Sequence, residues 1–120
     1  MAAVTGEKIW LDGQWLDWGE ANVHILTHTL HYGLGVFEGI RCYRTADDRS
    51  AIFRLSEHVQ RLFESAHINL MEMPVSQAVI EEACLEALRK NDLREGYLRP
   101  LAFIGDGESV LLSIQNEREW

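Results

Sequence analysis

The sequence predicts an α+β domain in which an antiparallel β-sheet is covered by two α-helices. Three observations carry this. Apolar and polar residues alternate on either side of Asp12-Gly13, and two stretches, from Leu55 and from Ser76, repeat apolar residues at helical spacing. Gly35–Thr45 and Gly96–Gly105 read as further strands, rich in β-branched and aromatic side chains. At 120 residues the chain is expected to be one domain over 1–120, able to bury roughly two thirds of its unfolded surface.

Composition narrows the function classes. Hydrophobic residues make up 47% and charged residues 25% of the chain, as in ordinary globular proteins. The formal net charge of −8 leaves no basic footprint, so nucleic acid and acidic membrane surfaces are not expected as partners. Cys42 and Cys84 are expected to be two buried thiols of a reducing compartment. No apolar run approaches a membrane span and Met1–Gly6 lacks the features of a signal peptide, so the expected location is cytoplasmic.

Taken in order, Lys8–Trp18 predicts a β-hairpin turning at Asp12-Gly13, with Trp10, Trp15 and Trp18 supplying faces to bury. In Gly19–Thr29 and beyond, His24, His28 and His31 would share a helical face, a spacing that a metal site can use. No acidic residue or cysteine completes a ligand set, so hydrogen-bonded histidines are expected instead. Gly35–Thr45 predicts one strand with Phe37, Gly39, Arg41 and Tyr43 on one face and Val36, Glu38, Ile40 and Cys42 on the other. Ala51–Arg54 returns antiparallel after a polar turn. A helix follows, with Leu55, Val59, Leu62, Phe63, Ala66 and Leu70 as its stripe and Ser56 or a neighbour as cap.

Ser76 predicts the N-cap of the second helix, between Val75 and Ile80 as a hydrophobic staple, and Val79, Ile80, Ala83, Cys84, Ala87 and Leu88 predict its buried stripe. Asn91–Glu95 stops it. In Gly96–Gly105, Pro100 places the strand at an edge or bulge, because proline cannot donate to the ladder. Ser109–Trp120 fits an added strand or a helix equally well.

Three arginines carry the chemical interest. Tyr97 and Arg99 share a strand face with Leu101 and Phe103, and an arginine on a largely buried strand needs an anionic partner. A protein carboxylate such as Glu38 is favoured over a bound substrate from composition, and the same holds for Arg41. Arg61 lies opposite the apolar stripe, near Glu57 and Glu64, so periodicity makes it a weakly paired surface residue.

His31–Tyr43 (HYGLGVFEGIRCY), then Phe53-Arg54, Glu57-His58, Arg61-Leu62 and Tyr97-Leu98-Arg99-Pro100, together resemble the amino-terminal part of branched-chain amino acid aminotransferases, fold-type IV enzymes that use pyridoxal 5'-phosphate. The resemblance runs from about Ile9 to Asp106 in order and spacing. It implies the small domain of such an enzyme, which exchanges the amino group of leucine, isoleucine or valine with 2-oxoglutarate. It further implies a substrate pocket to which Tyr32, Phe37, Gly39, Arg41, Tyr97 and Arg99 contribute. Tyr97 would bind the α-carboxylate, Arg99 with Tyr32 the distal carboxylate of glutamate, and Phe37 the branched side chain. Arg61 matches the arginine that grips the cofactor phosphate, and Tyr32 is expected to reach into a neighbouring subunit's site, which implies a homodimer.

Transamination also needs a lysine that binds the cofactor covalently. The chain has two lysines, Lys8 and Lys90, and neither matches that position. The resemblance therefore implies that the lysine belongs to a larger carboxy-terminal domain absent from this sequence, and the isolated chain is expected to be inactive. Residues 107–120 depart from the family pattern. Two alternatives remain open here: a non-catalytic truncated module that dimerises or binds a carboxylate, and a D-amino acid aminotransferase of the same class.

Overall fold

The computed structural model describes residues 7–117. Among them, seven strands form one antiparallel sheet. They are β1 (Lys8–Leu11), β2 (Gln14–Asp17), β3 (Gly35–Phe37), β4 (Ile40–Arg44), β5 (Ser50–Ile52), β6 (Gly96–Ile104) and β7 (Val110–Glu117), ordered β2-β1-β7-β6-β4-β5 with β3 also pairing β6. The helices are α1 (His28–Tyr32), α2 (Leu55–Ile68) and α3 (Gln77–Lys90). The predicted α+β architecture of a sheet under two long helices holds.

The hairpin turns as its dipeptide demands. Asp12 and Gly13 both take positive φ, 49° and 88°, and Trp10 pairs with Trp15 across it. Of its tryptophans only Trp10 is buried; Trp18 begins a short 3-10 turn and is exposed. The histidine segment is helical only over His28–Tyr32, so His24 shares no helical face with the others, and its Nδ1 accepts from Leu26 N at 3.0 Å.

Helix α2 keeps its predicted stripe through Val59, Leu62 and Ala66, all fully buried. Its ends differ from the sequence expectation. The N-cap is Arg54 in the left-handed conformation (φ 54°, ψ 47°) with no side-chain cap, and Ser56 lies inside the first turn. At the other end the helix stops at Ile68, Leu70 turns left-handed (φ 58°) and is exposed, and Met71 enters the core instead. Leu70 N donates to His67 O at 3.1 Å and Met71 N to Ala66 O at 2.8 Å, the reciprocal pair that closes a helix end without glycine. Ser76 caps α3 as predicted, accepting from Val79 N at 3.4 Å. Val79, expected in the buried stripe, is itself exposed, and burial in α3 begins at Ile80.

The core lies between α2, α3 and one face of the sheet. Ile40, Leu98, Pro100, Ala102, Leu112 and Ile114 face Val59, Leu62, Ile80, Cys84 and Ala87. Each fully buried leucine, isoleucine or valine there contributes roughly 1.5–3 kcal/mol. Both cysteines are buried free thiols. Among the described residues no helix is long and apolar enough to cross a membrane.

Pro100 does not sit on an edge strand. Strand β6 has β7 along one side over its whole length and β4 then β3 along the other. The chain instead breaks the partner: the single strand predicted over 35–45 is two, interrupted at Glu38-Gly39 opposite Pro100. Glu38 N donates to Pro100 O at 3.1 Å, and Pro100 has no N–H to return the second bond of that pair. Within the undecided stretch from Ser109, Val110–Glu117 is β7, antiparallel to β6 from Ile104↔Val110 to Tyr97↔Glu117, and 118–120 lie outside the described residues.

Candidate functional site

The sheet face turned away from the two long helices carries the side chains expected to line a pocket. Period two puts Tyr97, Arg99, Leu101 and Phe103 of β6 on that face, and the register sets Arg41 beside Tyr97 and Phe37 beside Leu101. The Arg99 guanidinium carbon lies 4.8 Å from the centroid of the Phe37 ring and 5.9 Å from that of Tyr97, so the charge is sandwiched along aromatic surface. The Tyr97 hydroxyl occupies the space in which Gly39 lacks a side chain: a Cβ there would stand 1.9 Å from the Tyr97 oxygen. Gly39 thus acts as the seat of that phenol. Phe37 and Arg41 are exposed, and Tyr97 and Arg99 are half-buried.

Tyr32 is positioned differently. It ends α1 at 77% exposure, and its ring tilts against His28 with 4.7 Å between centroids. Helix α1 is tied to the sheet through Thr29, whose hydroxyl accepts from Ile104 N at 2.7 Å and donates to Leu34 O at 3.0 Å. Val23, Ile25, Leu26, Leu30 and Leu34 around it are exposed as well. Beneath that segment lies an open apolar groove of about 340 Å³, floored by Ile9, Leu11, Leu101 and Phe103.

Glu38 is not the partner of Arg99. Its side chain turns to the helix side of the sheet, only 6% exposed, and meets Arg61 and His58 of α2. Arg61 Nε donates to both carboxylate oxygens at 3.0 Å, Nη2 donates to Oε1 at 2.8 Å, and His58 Nδ1 is 2.8 Å from Oε1. Burial pushes the Glu38 carboxyl up; the hydrogen bonds and charges of Arg61 and His58 outweigh that and hold it below its usual 4.5. The surface carboxylates expected around Arg61 are engaged elsewhere, Glu57 with Arg54 at 2.6 Å and Glu64 with Gln60 at 3.1 Å. Arg61 keeps 63% of its side chain exposed, beside an open groove of about 470 Å³ that Phe53, Arg54 and Gln60 also line.

Apart from Tyr32 on α1, the expected site residues therefore form two groups. Phe37, Gly39, Arg41, Tyr97 and Arg99 share the open face, Arg61 stands on α2, and the break at Glu38-Gly39 joins them. The Glu38–Arg61–His58 cluster went unread in the sequence. Its signals were present: period two put Glu38 on the core face, where a carboxylate needs a cation, and His58 and Arg61 stand three apart on one helix. The two lysines collect at the other end of the sheet, Lys8 on Asp17 and Lys90 5.5 Å above the Trp15 ring of β2, with β1 and β7 between that strand and β6. Among the described residues no group of histidine, cysteine or acidic side chains is arranged to hold a metal ion.

A family model described as amino-transferase class IV matches residues 35–119. Over 97 residues the chain is 53% identical to a branched-chain-amino-acid aminotransferase of Pseudomonas aeruginosa, covering 81% of this chain and 31% of the relative. Over 108 residues it is 46% identical to the Escherichia coli protein of the same name, covering 88% and 34%. The chain thus spans about a third of the length of these curated relatives. Among solved structures, the T.th. branched-chain amino acid aminotransferase with pyridoxamine 5'-phosphate superposes with a TM-score of 0.90 at 38% identity, covering 98% of this chain and 42% of that one. The same protein complexed with N-(5'-phosphopyridoxyl)-L-glutamate gives 0.88 at 40%, covering 95% and 41%.

Proposed function

Since the chain belongs to the class IV aminotransferase family, we propose that it is the small, substrate-facing domain of a branched-chain amino acid aminotransferase. The observation that carries this reading is the open face itself. It brings a guanidinium, a phenol and apolar rings together, with Phe37 exposed and Tyr97 and Arg99 half-buried. In this reading Tyr97 receives the α-carboxylate, Arg99 the distal carboxylate of glutamate, and Phe37 with Leu101 the branched side chain. Arg41 adds positive charge to the rim. One pocket must admit both an apolar side chain and a carboxylate, and a guanidinium lying on aromatic surface serves both. Tyr32 completes the site of a second subunit, consistent with its exposed ring and the apolar residues around it.

The cofactor of this reading is pyridoxal 5'-phosphate; the related structures hold its amine form and its glutamate adduct. Arg61 fits as one anchor of its phosphate: Nε and Nη2 serve Glu38, and among the described residues Nη1 has no hydrogen-bond partner. When bound, this cofactor supplies the electron sink for amino transfer. What this chain contributes is binding and orientation. Lys8 and Lys90 stand at the β2 end of the sheet, so the covalent anchor comes from a larger domain, and the isolated chain is inactive.

The second reading, a dimerising or carboxylate-binding module without chemistry, is favoured by the exposed apolar surface at Ile25, Leu26, Leu30 and Tyr32. The test is to assay the purified chain with cofactor, leucine and 2-oxoglutarate, alone and mixed with a separately produced large domain. Activity only in the mixture supports the half-enzyme. Dimerisation without activity supports the module, use of D-alanine by the mixture points to the D-amino acid branch, and turnover by the chain alone overturns the reading.

A further inference from the structure

Arg61 is an exposed arginine on a helix surface, and such a side chain samples many rotamers unless something holds it. Glu38 holds it. The carboxylate reaches α2 from the interruption between β3 and β4, is itself 6% exposed, and takes the Nε and Nη2 side of the guanidinium in three hydrogen bonds of 2.8–3.0 Å. His58 Nδ1 at 2.8 Å pins the same carboxylate from one helical turn away. Pro100 stands opposite, and its carbonyl fixes the Glu38 backbone.

We propose that Glu38 is a positioning residue for phosphate binding: by clamping one side of the Arg61 guanidinium it presents Nη1 to the groove along α2. This rests on the reading of Arg61 as a phosphate anchor. The carboxylate also subtracts charge from the arginine, which by itself would weaken anion binding. Arg61 is 63% exposed, so the high dielectric around Nη1 keeps that repulsion small against the gain from a fixed guanidinium.

The test uses the full chain, labelled with 15N-arginine, and inorganic phosphate as the probe, its affinity read by 31P NMR. In the unsubstituted chain the Arg61 Nε–H signal, assigned by its loss in R61K, is slow to exchange with solvent and stays so when phosphate binds. E38Q weakens phosphate binding about tenfold with an unchanged near-ultraviolet circular dichroism spectrum, and R61A abolishes binding. If R61A abolishes binding while E38Q binds phosphate equally well or more tightly, positioning by Glu38 is wrong and the Arg61 assignment survives. If the unsubstituted chain binds no phosphate, or R61A binds as it does, the assignment fails and the inference with it. Should E38Q not fold, the unsubstituted chain still decides: loss of Nε–H protection on adding phosphate means the anion displaces Glu38 and overturns the proposal.

Discussion

Replacing Gly39 with alanine tests the seat of Tyr97 in isolation from the rest of the fold. The added Cβ would stand 1.9 Å from the Tyr97 oxygen and 2.7 Å from Cζ, whereas ordinary contact begins at 3.4 Å, so the hydroxyl must retreat by about 1.5 Å. Tyr97 is half-buried on an open face, so its ring has room to swing. Overpacking then costs about 1 kcal/mol, the low end for an added methyl group. Loss of glycine's freedom in the unfolded chain returns about 0.4–1 kcal/mol, because Gly39 is not among the positive-φ glycines. Urea denaturation should therefore place G39A within about 1 kcal/mol of the unsubstituted chain. Function should suffer more. A hydroxyl moved by that distance can no longer reach a carboxylate it bonded directly, and a hydrogen bond to a charged group is worth about 1.5–3 kcal/mol. With the large domain supplied, KM for leucine and for glutamate should rise between about tenfold and a hundredfold. An unchanged KM would refute the assignment of the α-carboxylate to Tyr97. A stability loss above about 3 kcal/mol would refute the claim that the ring is free to move.

Three further outcomes follow from the structure. The Glu38 carboxyl is held below 4.5, so its pairing stabilises the fold fully above about pH 4.5 and the contribution is lost as pH falls through the lowered folded value. R61A strips that support, so it should lower the urea midpoint above about pH 4.5 and flatten the acid limb, the two proteins converging as pH falls; an equal loss at every pH contradicts the pairing. Burial, aided by the charge of Glu81, pushes the Cys84 thiol up to about 12, and burial raises Cys42 as well. A disulfide reagent at pH 8 should thus label neither thiol in the native chain and both in denaturant, and rapid native labelling would show the core to be open. Finally, S76A should lose about 0.5–1 kcal/mol with its cap, while S56A should change stability by less than about 0.5 kcal/mol, both measured by thermal denaturation.

Much of this architecture is legible because it is local. The stripes of α2 and α3, the Asp12-Gly13 turn and the Ser76 cap depend on residues within a few positions of one another, and helical period or turn chemistry exposes them directly. Two of the errors share one cause, dependence on a distant strand. Proline in a strand suggests an edge, yet Pro100 lies in the middle of the sheet because the partner strand, more than 60 residues earlier, yields at Glu38-Gly39. Pairing Glu38 with Arg99 respected charge but not the pleat, which turns the two side chains to opposite faces of the sheet. Leu70 fits the helical stripe, but nothing in its own identity marks a leucine that will turn left-handed and hand its core place to Met71. On the site, Tyr97, Arg99, Phe37 and Arg41 share a face as period two requires. Period two fixes the shared face but carries no information on which ligand atom each side chain meets.

Strand β6 interleaves two inheritances. Leu98, Pro100 and Ala102 hold the core, while Tyr97, Arg99, Leu101 and the buried Phe103 turn to the opposite face, alternating from Tyr97 to Phe103. Point changes at odd and even positions can accordingly drift apart, one set tuning recognition and the other tuning melting behaviour. Insertions and deletions enjoy no such independence. A single added residue within β6 would drive a guanidinium and a phenol into the hydrocarbon interior and turn leucine outward in the same stroke, so this strand should tolerate varied chemistry but not varied length.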